Sequence, residues 1–354
     1  MPTVKVRMVE ERKMEDVLFN VAMRRALELA LLGPVYGPNP QVGAVILDNQ
    51  GQIVAEGWHE GAGSAHAEVA ALRDLALKGI SSDGLTAVVA LEPCNHTGRT
   101  GPCAQALLEA GITRVVYGSS DPGKNSSGGA ATLRDAGVEV IGGVMQAEAD
   151  ELNHVWLTAT KQGHPFVTLK WASSLDGRGA ANDGSSQWIS GSESRADAHK
   201  RRSEIDAILV GAATVAKDDP ELTARKIDGT LYEHQPLRVV MGESVLDLSH
   251  RVFNDNAETV QFRTQSIHGV LAELQERGIK HLMVEGGPKV ASSFVKLGLV
   301  NEFITYLAPM LLGGEKTAFK EIGVTNMDQA QHLEFKEVRR LGDDIFIRAV
   351  KKGN

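Results

Sequence analysis

Cysteine is scarce in this chain, two among 354 residues, so no disulfide framework holds the fold and a reducing cytoplasm is the expected home. Long apolar runs are missing too. Nothing approaches the roughly 18 consecutive apolar residues that a membrane-spanning helix needs, so no membrane span is expected. Met1 to Lys13 mixes charges with short apolar stretches and lacks the continuous apolar core of a secretory signal. Positive charge is not in excess. A net charge of −8 gives no general attraction for nucleic acid or membrane surface, so an anionic ligand must be held by local cations. There is no internal repeat and no low-complexity tract. What is present is an ordinary globular balance, 42% hydrophobic and 23% charged, enough for sizeable cores. The length favours two domains.

Both cysteines fall within one short segment, Pro93-Cys94-Asn95-His96-Thr97-Gly98-Arg99-Thr100-Gly101-Pro102-Cys103, and His66-Ala67-Glu68 precedes it. Zinc favours thiolate and imidazole ligands, and a catalytic zinc keeps three protein ligands with the fourth position left for water. His66, Cys94 and Cys103 supply three. Deamination of an aminated ring needs hydroxide at neutral pH and a group that carries protons to the departing amine; the metal supplies the first and a carboxylate the second. Glu68 is placed for that role. A His-x-Glu triplet followed by a Pro-Cys pair is the signature of the zinc deaminases, in which the glutamate is not a ligand. Two alternatives stand beside this: a pair of unrelated buried thiols, and a structural zinc closed by His96 as fourth ligand.

Hydrophobic periodicity outlines an α/β organisation. Glu15 to Leu32 reads as a helix with Leu18, Ala22, Ala26 and Leu29 on one stripe, ended by Gly33-Pro34. Val42 to Leu47 and Ile53 to Ala55 read as a hairpin. A helix starting near His66, a strand Ala87 to Leu91 leading into Cys94, and a helix Cys103 to Ala110 place both thiols at the end of a sheet. Strands at Arg114 to Gly118 and Val138 to Ile141, a helix Ala130 to Ala136 between them, and one helix over Gln146 to Thr160 complete a layered unit. The polar Lys161-Gln162-Gly163-His164-Pro165 breaks the chain, so the domains are set at residues 1–160 and 161–354. The second half alternates strands at Phe166 to Lys170, Ala207 to Gly211, Arg238 to Met241, His281 to Glu285 and Glu302 to Leu307 with helices at Ser192 to Arg202, Ser266 to Arg277 and Lys289 to Leu297. Two strands close it, Phe335 to Arg339 and Ile345 to Val350.

The second half carries weaker chemical signals. Glu285-Gly286-Gly287-Pro288 follows a strand and opens a helix, where backbone N–H groups and the helix dipole can receive a phosphate. It is not Gly-x-Gly-x-x-Gly, so the Rossmann fingerprint is absent, and a plain tight turn is the simpler reading. Trp188 in a polar loop is either a packing residue or a plate for a flat ring. Arg195, Arg201 and Arg202 form a basic helix face, and Arg225 follows Asp218-Asp219-Pro220-Glu221-Leu222; such faces are commonly just solvated. The residues alone lead no further than a phosphate-bearing ligand site.

Several motifs in order nevertheless resemble one family. Asn39-Pro40-Gln41-Val42-Gly43-Ala44, Ala65-His66-Ala67-Glu68 and Leu91-Glu92-Pro93-Cys94 to Cys103 carry the resemblance in the first half. Val167-Thr168-Leu169-Lys170, Ser174-Leu175-Asp176-Gly177-Arg178, Gln187-Trp188-Ile189, Asp218-Asp219-Pro220, Leu222-Thr223-Ala224-Arg225 and Glu285-Gly286-Gly287-Pro288 carry it in the second. Over nearly its whole length the chain resembles the bifunctional riboflavin-biosynthesis enzymes that join a diaminohydroxyphosphoribosylaminopyrimidine deaminase to a 5-amino-6-(5-phosphoribosylamino)uracil reductase. The wide cysteine spacing separates it from the cytidine, tRNA-adenosine and guanine deaminases.

The resemblance implies a cytidine-deaminase-like three-layer α/β/α domain using zinc, then a dihydrofolate-reductase-like α/β domain using NADPH. It implies deamination of 2,5-diamino-6-(5-phosphoribosylamino)pyrimidin-4(3H)-one, followed by reduction of the ribosyl side chain to ribityl. Asn39, His59, Arg99 and Thr100 would contact the pyrimidine and its ribose phosphate. Ser186, Arg202, Leu222 and Arg225 would contact the reductase substrate, and Lys170 and Glu285 would be the polar pair beside the ribose. Ser173, Trp188, Thr214, Asp218, Gly286 and Gly287 would hold NADPH. A homodimer is expected from the family and from the prevalence of symmetric oligomers, with a small-molecule substrate and no nucleic-acid partner. The family pattern is broken at Gly123-Lys124-Asn125, where Asn-Pro is usual, and at Gly242-Glu243, where Asp-Ser or a similar pair is usual.

Overall fold

The structure, a computed structural model, describes residues 2–96 and 101–353. The chain divides into two compact units, Met1–Gln162 and Gly163–Asn354. No helix among the described residues is long and apolar enough to cross a membrane.

The first unit is built on five strands, β1 (Gly43–Leu47), β2 (Ile53–Trp58), β3 (Thr86–Leu91), β4 (Arg114–Ser119) and β5 (Glu139–Gly142), in the order β2-β1-β3-β4-β5. β1 runs antiparallel to β2 and β3, and β3, β4 and β5 are mutually parallel. The β1–β2 hairpin closes where the Asp48 carboxylate accepts the amides of Gln50 and Gln52, at 2.8 and 2.9 Å, the local bonding that makes Asp a turn residue. Strand alternation then divides the core. Val45, Leu47, Val88 and Val116 face one side and pack on Phe19, Ala22, Met23, Ala26 and Leu29 of α1 (Pro2–Ala30). Ala44, Ile46, Ala87, Val89 and Val115 face the other side, toward α2 (Ala67–Leu77), α3 (Cys103–Glu109) and α4 (Gly129–Asp135). The result is a three-layer α/β/α sandwich.

Two expectations for this unit are corrected. α1 begins at Pro2, not Glu15. The single helix expected over Gln146 to Thr160 is two, α5 (Gln146–Leu152) and α6 (His154–Gln162). They part at Asn153, whose side-chain amide accepts from the Gln41 N–H at 2.9 Å and donates to the Gln41 carbonyl at 2.8 Å. That paired bond satisfies backbone groups of the buried segment leading into β1 and competes with helix continuation.

In the second unit, β6 (Phe166–Ser174), β7 (Ala207–Gly211), β8 (Leu237–Met241), β9 (Thr259–Phe262), β10 (His281–Val284), β11 (Glu302–Ala308), β12 (Leu333–Leu341) and β13 (Asp344–Lys351) form one sheet ordered β12-β13-β11-β6-β10-β7-β8-β9. Pairing is parallel from β11 through β9, and β13 and β12 add antiparallel. α9 (Ile267–Glu276) and α10 (Pro288–Lys296) cover one face. α7 (Ser192–Arg202) and α8 (Ala212–Asp218) pack on the other. α8 and β9 were not expected from the sequence. α8 follows β7 without punctuation and buries only Ala212 and Val215, and β9 is a four-residue edge strand.

Gly57 in β2 lies directly beneath α2. A methyl group there would sit 2.6 Å from the Ala67 carbonyl oxygen and 2.7 Å from the Ala70 carbonyl carbon, so the helix carrying Glu68 could not stay where it is. Gly57→Ala should destabilise the first unit by about 1–3 kcal/mol, the usual cost of overpacking, measured as a shift of its urea-unfolding midpoint.

Candidate active sites

The first site forms where β3 ends. β3 ends at Leu91 with Cys94 three residues beyond it, and Cys103 is the first residue of α3. The Cys103 N–H donates to Cys94 Sγ at 3.4 Å, and the Ala104 N–H donates to the Cys94 carbonyl at 3.2 Å, so Cys94 takes up free amides of a helix start. His66 is the N-cap of α2, extended and making no side-chain cap bond, which leaves its imidazole available to the sulfurs. Its Nδ1 lies 3.2 Å from Cys103 Sγ and 3.5 Å from Cys94 Sγ. All three donor atoms fall within 4.8 Å of one another. With bonds of about 2.0 Å to nitrogen and 2.3 Å to sulfur, a nitrogen and a sulfur on one tetrahedral zinc are about 3.5 Å apart, so these residues fit zinc. Among the described residues His96 does not join the group; its buried Nδ1 makes no hydrogen bond.

The electrostatics match that geometry. Cys103 and His66 beside it hold the Cys94 thiol well below its ordinary value, and the neighbouring Cys94 together with burial pushes Cys103 up. Glu68, in the first turn of α2 and 5% exposed, has its carboxyl raised by burial and then by the charge of Cys94. His59 Nδ1 donates to the Ala65 carbonyl at 3.0 Å, so its Nε2, 2.9 Å from Asn39 Nδ2, accepts the amide hydrogen. Burial lowers the imidazole's pKa, in keeping with this neutral tautomer. The His59 ring stands edge-on to His66 at 5.5 Å. Asn39 and His59 are thus brought beside the donors. Arg99 and Thr100 lie outside the described residues.

Glu92 is a brace that sequence reasoning missed. Its carboxylate accepts the amides of Asp121 and Ala130, at 3.2 and 3.1 Å, tying the loop after β4 to the cysteine loop. Its place two residues before Cys94 was the available signal. The departure at Gly123 has a steric reason: its N–H donates to Asp121 at 2.7 Å, and a Cβ there would strike Ser126 Oγ. Asn125 is exposed.

The second site is a cavity of about 620 Å³ on the side of the sheet covered by α7 and α8. At its base the Glu285 carboxylate, just beyond β10, receives Lys170 Nζ from β6 at 3.0 Å. It also receives a two-pronged bond from Arg202 of α7, Nε to Oε1 at 2.8 Å and Nη2 to Oε2 at 2.9 Å. Burial alone would raise the Glu285 carboxyl, but Arg202 and Lys170 overcome it and hold the group far below the usual carboxylate range. Ser186, Leu222 and Arg225, together with Trp188 and Asp218, line the same cavity. Leu222 is buried in left-handed backbone at φ 59°, a conformation costly for a side chain of its size. The strained segment is pinned by its neighbour Glu221, whose carboxylate accepts from Arg225, Arg251, Asn254 and Asn256. Against the effect of burial, these donors hold it down to about 2.

The basic face expected on α7 divides. Arg202 enters the cavity wall and Arg195 stacks over Trp188 at 4.7 Å. Arg201 instead pairs with Asp197 at 2.8 Å and covers Phe346. Ser173, Thr214, Gly286 and Gly287 do not line the cavity. Thr214 and the double glycine do meet one another, since a Cβ on Gly287 would lie 3.3 Å from Thr214 Oγ1. Gly287 caps α10 without a side-chain bond and Pro288 opens the helix, leaving amides available to a phosphate. These residues fit a dinucleotide phosphate. His199 also lines the cavity and was missed, although it stands one turn before Arg202 on the same helix.

Comparison with known proteins gives a consistent picture. Residues 19–119 match the family described as the cytidine and deoxycytidylate deaminase zinc-binding region, and residues 165–347 match the RibD C-terminal domain. The riboflavin biosynthesis protein RibD of Mycobacterium tuberculosis is 44% identical over 346 residues, spanning 97% of this chain and 99% of the relative. That of Escherichia coli is 38% identical, spanning 93% of this chain and 98% of the relative. Among solved structures, Acinetobacter baumannii RibD matches with a TM-score of 0.86 at 35% identity, covering 96% of this chain and all (100%) of that one. A diaminohydroxyphosphoribosylaminopyrimidine deaminase/5-amino-6-(5-phosphoribosylamino)uracil reductase from Thermotoga maritima matches with a TM-score of 0.82 at 33% identity, with the same coverage of 96% and 100%.

The depressed Glu285 pKa makes stability depend on acid. Because the folded value lies below the unfolded one of about 4.3, the group's contribution is present above that pH and is lost as pH falls through it toward the folded pKa. Unfolding measured from pH 6 to 3 should show Glu285→Gln with a flatter acid slope than the parent. At neutral pH the variant should be less stable by about 3–5 kcal/mol, because Arg202 and Lys170 are left without their buried partner. Equal slopes in the two proteins would contradict this.

Proposed function

The chain belongs to the RibD family of riboflavin biosynthesis proteins, and from that premise we propose how its residues divide the work of a bifunctional zinc-dependent deaminase and NADPH-dependent reductase. The first unit takes 2,5-diamino-6-(5-phosphoribosylamino)pyrimidin-4(3H)-one, and the second reduces the deaminated product to the ribityl compound. The observation that carries the reading is the gathering of His66, Cys94 and Cys103 at zinc spacing beside the buried Glu68.

His66, Cys94 and Cys103 would hold zinc. When bound, zinc supplies the Lewis acidity that brings the pKa of a water near neutrality. Glu68 moves two protons in turn: it carries one from the water attacking C2 to the ring nitrogen, and then one from the resulting C2 hydroxyl to the departing amine, leaving the carbonyl and ammonia. Burial suits it to this work, since a carboxyl raised toward neutrality both accepts and gives up a proton. Asn39, held by the neutral His59, orients the pyrimidine, and Arg99 and Thr100 complete the contacts to the base and its ribose phosphate.

In the second unit Ser173, Trp188, Thr214, Asp218 and the Gly286-Gly287 turn would hold NADPH, which supplies hydride when bound. Lys170 and Glu285 align the ribosyl carbon that accepts it, and Ser186, Arg202, Leu222 and Arg225 fix the rest of the substrate. A homodimer is the proposed assembly, supported by the exposed Phe335 and Val338 on the sheet-edge strand β12. The proposed location is the cytoplasm, where both thiols stay reduced.

Following ammonia release and NADPH oxidation separately on the two substrates tests the division. Glu68→Ala should keep its zinc and lose deamination by about 10²–10⁴-fold, the span of a general acid/base, while reducing the deaminated substrate normally; full deaminase turnover would remove Glu68 from the mechanism. Lys170→Ala should show the opposite pattern. Zinc chelation should abolish ammonia release and spare NADPH oxidation on the deaminated substrate.

A further inference from the structure

His199 stands between the two arginines assigned to the reductase substrate. Its Nδ1 is 3.0 Å from the Thr223 carbonyl oxygen, which also accepts from Arg202 Nη1 at 3.2 Å. Its Nε2 is 3.5 Å from Arg225 Nη2. A guanidinium only donates, so Nε2 must be the bare nitrogen, and Nδ1 carries its hydrogen toward Thr223. The opposite tautomer would receive the Arg225 amide, 3.3 Å from Nδ1. It would also set two lone pairs against each other at the Thr223 carbonyl and aim an N–H at a cation. Burial, then the charges of Arg202 and Arg225, push the imidazole's pKa down to about 4, so the ring is neutral at physiological pH.

Arg225 is held from several sides. Its Nη1 donates to Glu221 Oε2 at 2.8 Å and to Thr223 Oγ1 at 2.9 Å, and its Nη2 turns to His199. Of the five guanidinium hydrogens, these contacts use three. The Nε–H and the second Nη2–H are not engaged by the described residues, and the side chain lines the cavity. Each arginine pairs with a carboxylate, Arg202 with Glu285 and Arg225 with Glu221, and the link between the two runs through the imidazole and the Thr223 carbonyl. A neutral ring that accepts from one, and shares a carbonyl with the other, links the two without adding a charge of its own.

We propose that His199 is a positioning residue of the reductase site, a neutral spacer between Arg202 and Arg225 that aims the free N–H groups of Arg225 at the substrate. The proposal rests on the reading that this cavity takes the phosphoribosylamino substrate. His199 touches no reacting atom, and its effect passes through Arg225.

The test is a double-mutant cycle on the full chain, reading NADPH oxidation with the deaminated substrate. His199→Ala should raise the substrate KM about tenfold, within the range of coupling between contacting residues, and leave kcat within about twofold, as expected when binding rather than the chemical step is lost. An unchanged KM for NADPH shows that the unit is folded. His199→Gln offers one donor and one acceptor, and should recover most of the loss. In an Arg225→Ala background, His199→Ala should add nothing. Independent, multiplying effects of the two substitutions, or a fall in kcat at constant KM, would overturn the positioning role while leaving the cavity as the substrate site. If Arg225→Ala itself leaves the substrate KM unchanged, the cavity reading fails and takes the proposal with it.

Discussion

Parallel strands deliver polar side chains at their carboxyl ends, and both units obey that constraint. Along a strand buried on both faces there is no room for chemistry: Val88, Val89, Val115 and Val116 in one sheet, and Leu209, Leu282 and Val284 in the other, are fully buried. Where the ladder stops, backbone groups and side chains are free to turn toward a ligand. β3 ends and Cys94 follows; β10 ends and Glu285 follows; β7 ends at Gly211 and α8 begins with Thr214 in its first turn. Helix ends bring the partners, His66 and Glu68 at the start of α2, Cys103 at the start of α3, and Arg202 at the end of α7.

In the second unit, charge taken out of water is compensated where it serves the site. Glu285 is answered by Lys170 and Arg202, and Glu221 by four donors. Fully paired networks of this kind rigidify their surroundings, because losing any one partner exposes the others to the full cost of burial. The same logic explains how a leucine can be kept in left-handed backbone at Leu222: the strain is local, and the bonds around Glu221 that oppose its release are many. In the first unit the soft donors are the counterpart, gathered within 4.8 Å of one another.

Much of this was legible in the chain. The metal donors and Glu68 stood out because cysteine is so rare and His-x-Glu so compact, and the continuous apolar runs of β1 and β3 announced buried strands. Lys170, Glu285, Arg202 and Arg225 came from resemblance, since nothing local marks a lysine on one strand and a glutamate after another as partners. His199 and Glu92 were passed over: a lone histidine on a polar helix and a glutamate beside a proline carry no periodic signal. The break at Asn153 was invisible for a similar reason, because its cause, a bond to Gln41, lies 112 residues away.

Composition, periodicity and spacing by themselves determined that the chain folds as α/β layers, that three soft ligands and one carboxylate belong together, and where polar loops interrupt the strands. These follow from nearest-neighbour chemistry, read over a turn of helix or a few residues of strand. Only the tertiary structure decided which cations answer Glu285, which imidazole stands between two arginines in a neutral tautomer, and which amides Glu92 and Asn153 satisfy. Those outcomes depend on distances between segments far apart in the chain, and burial is what turns such a distance into a free energy large enough to select one arrangement.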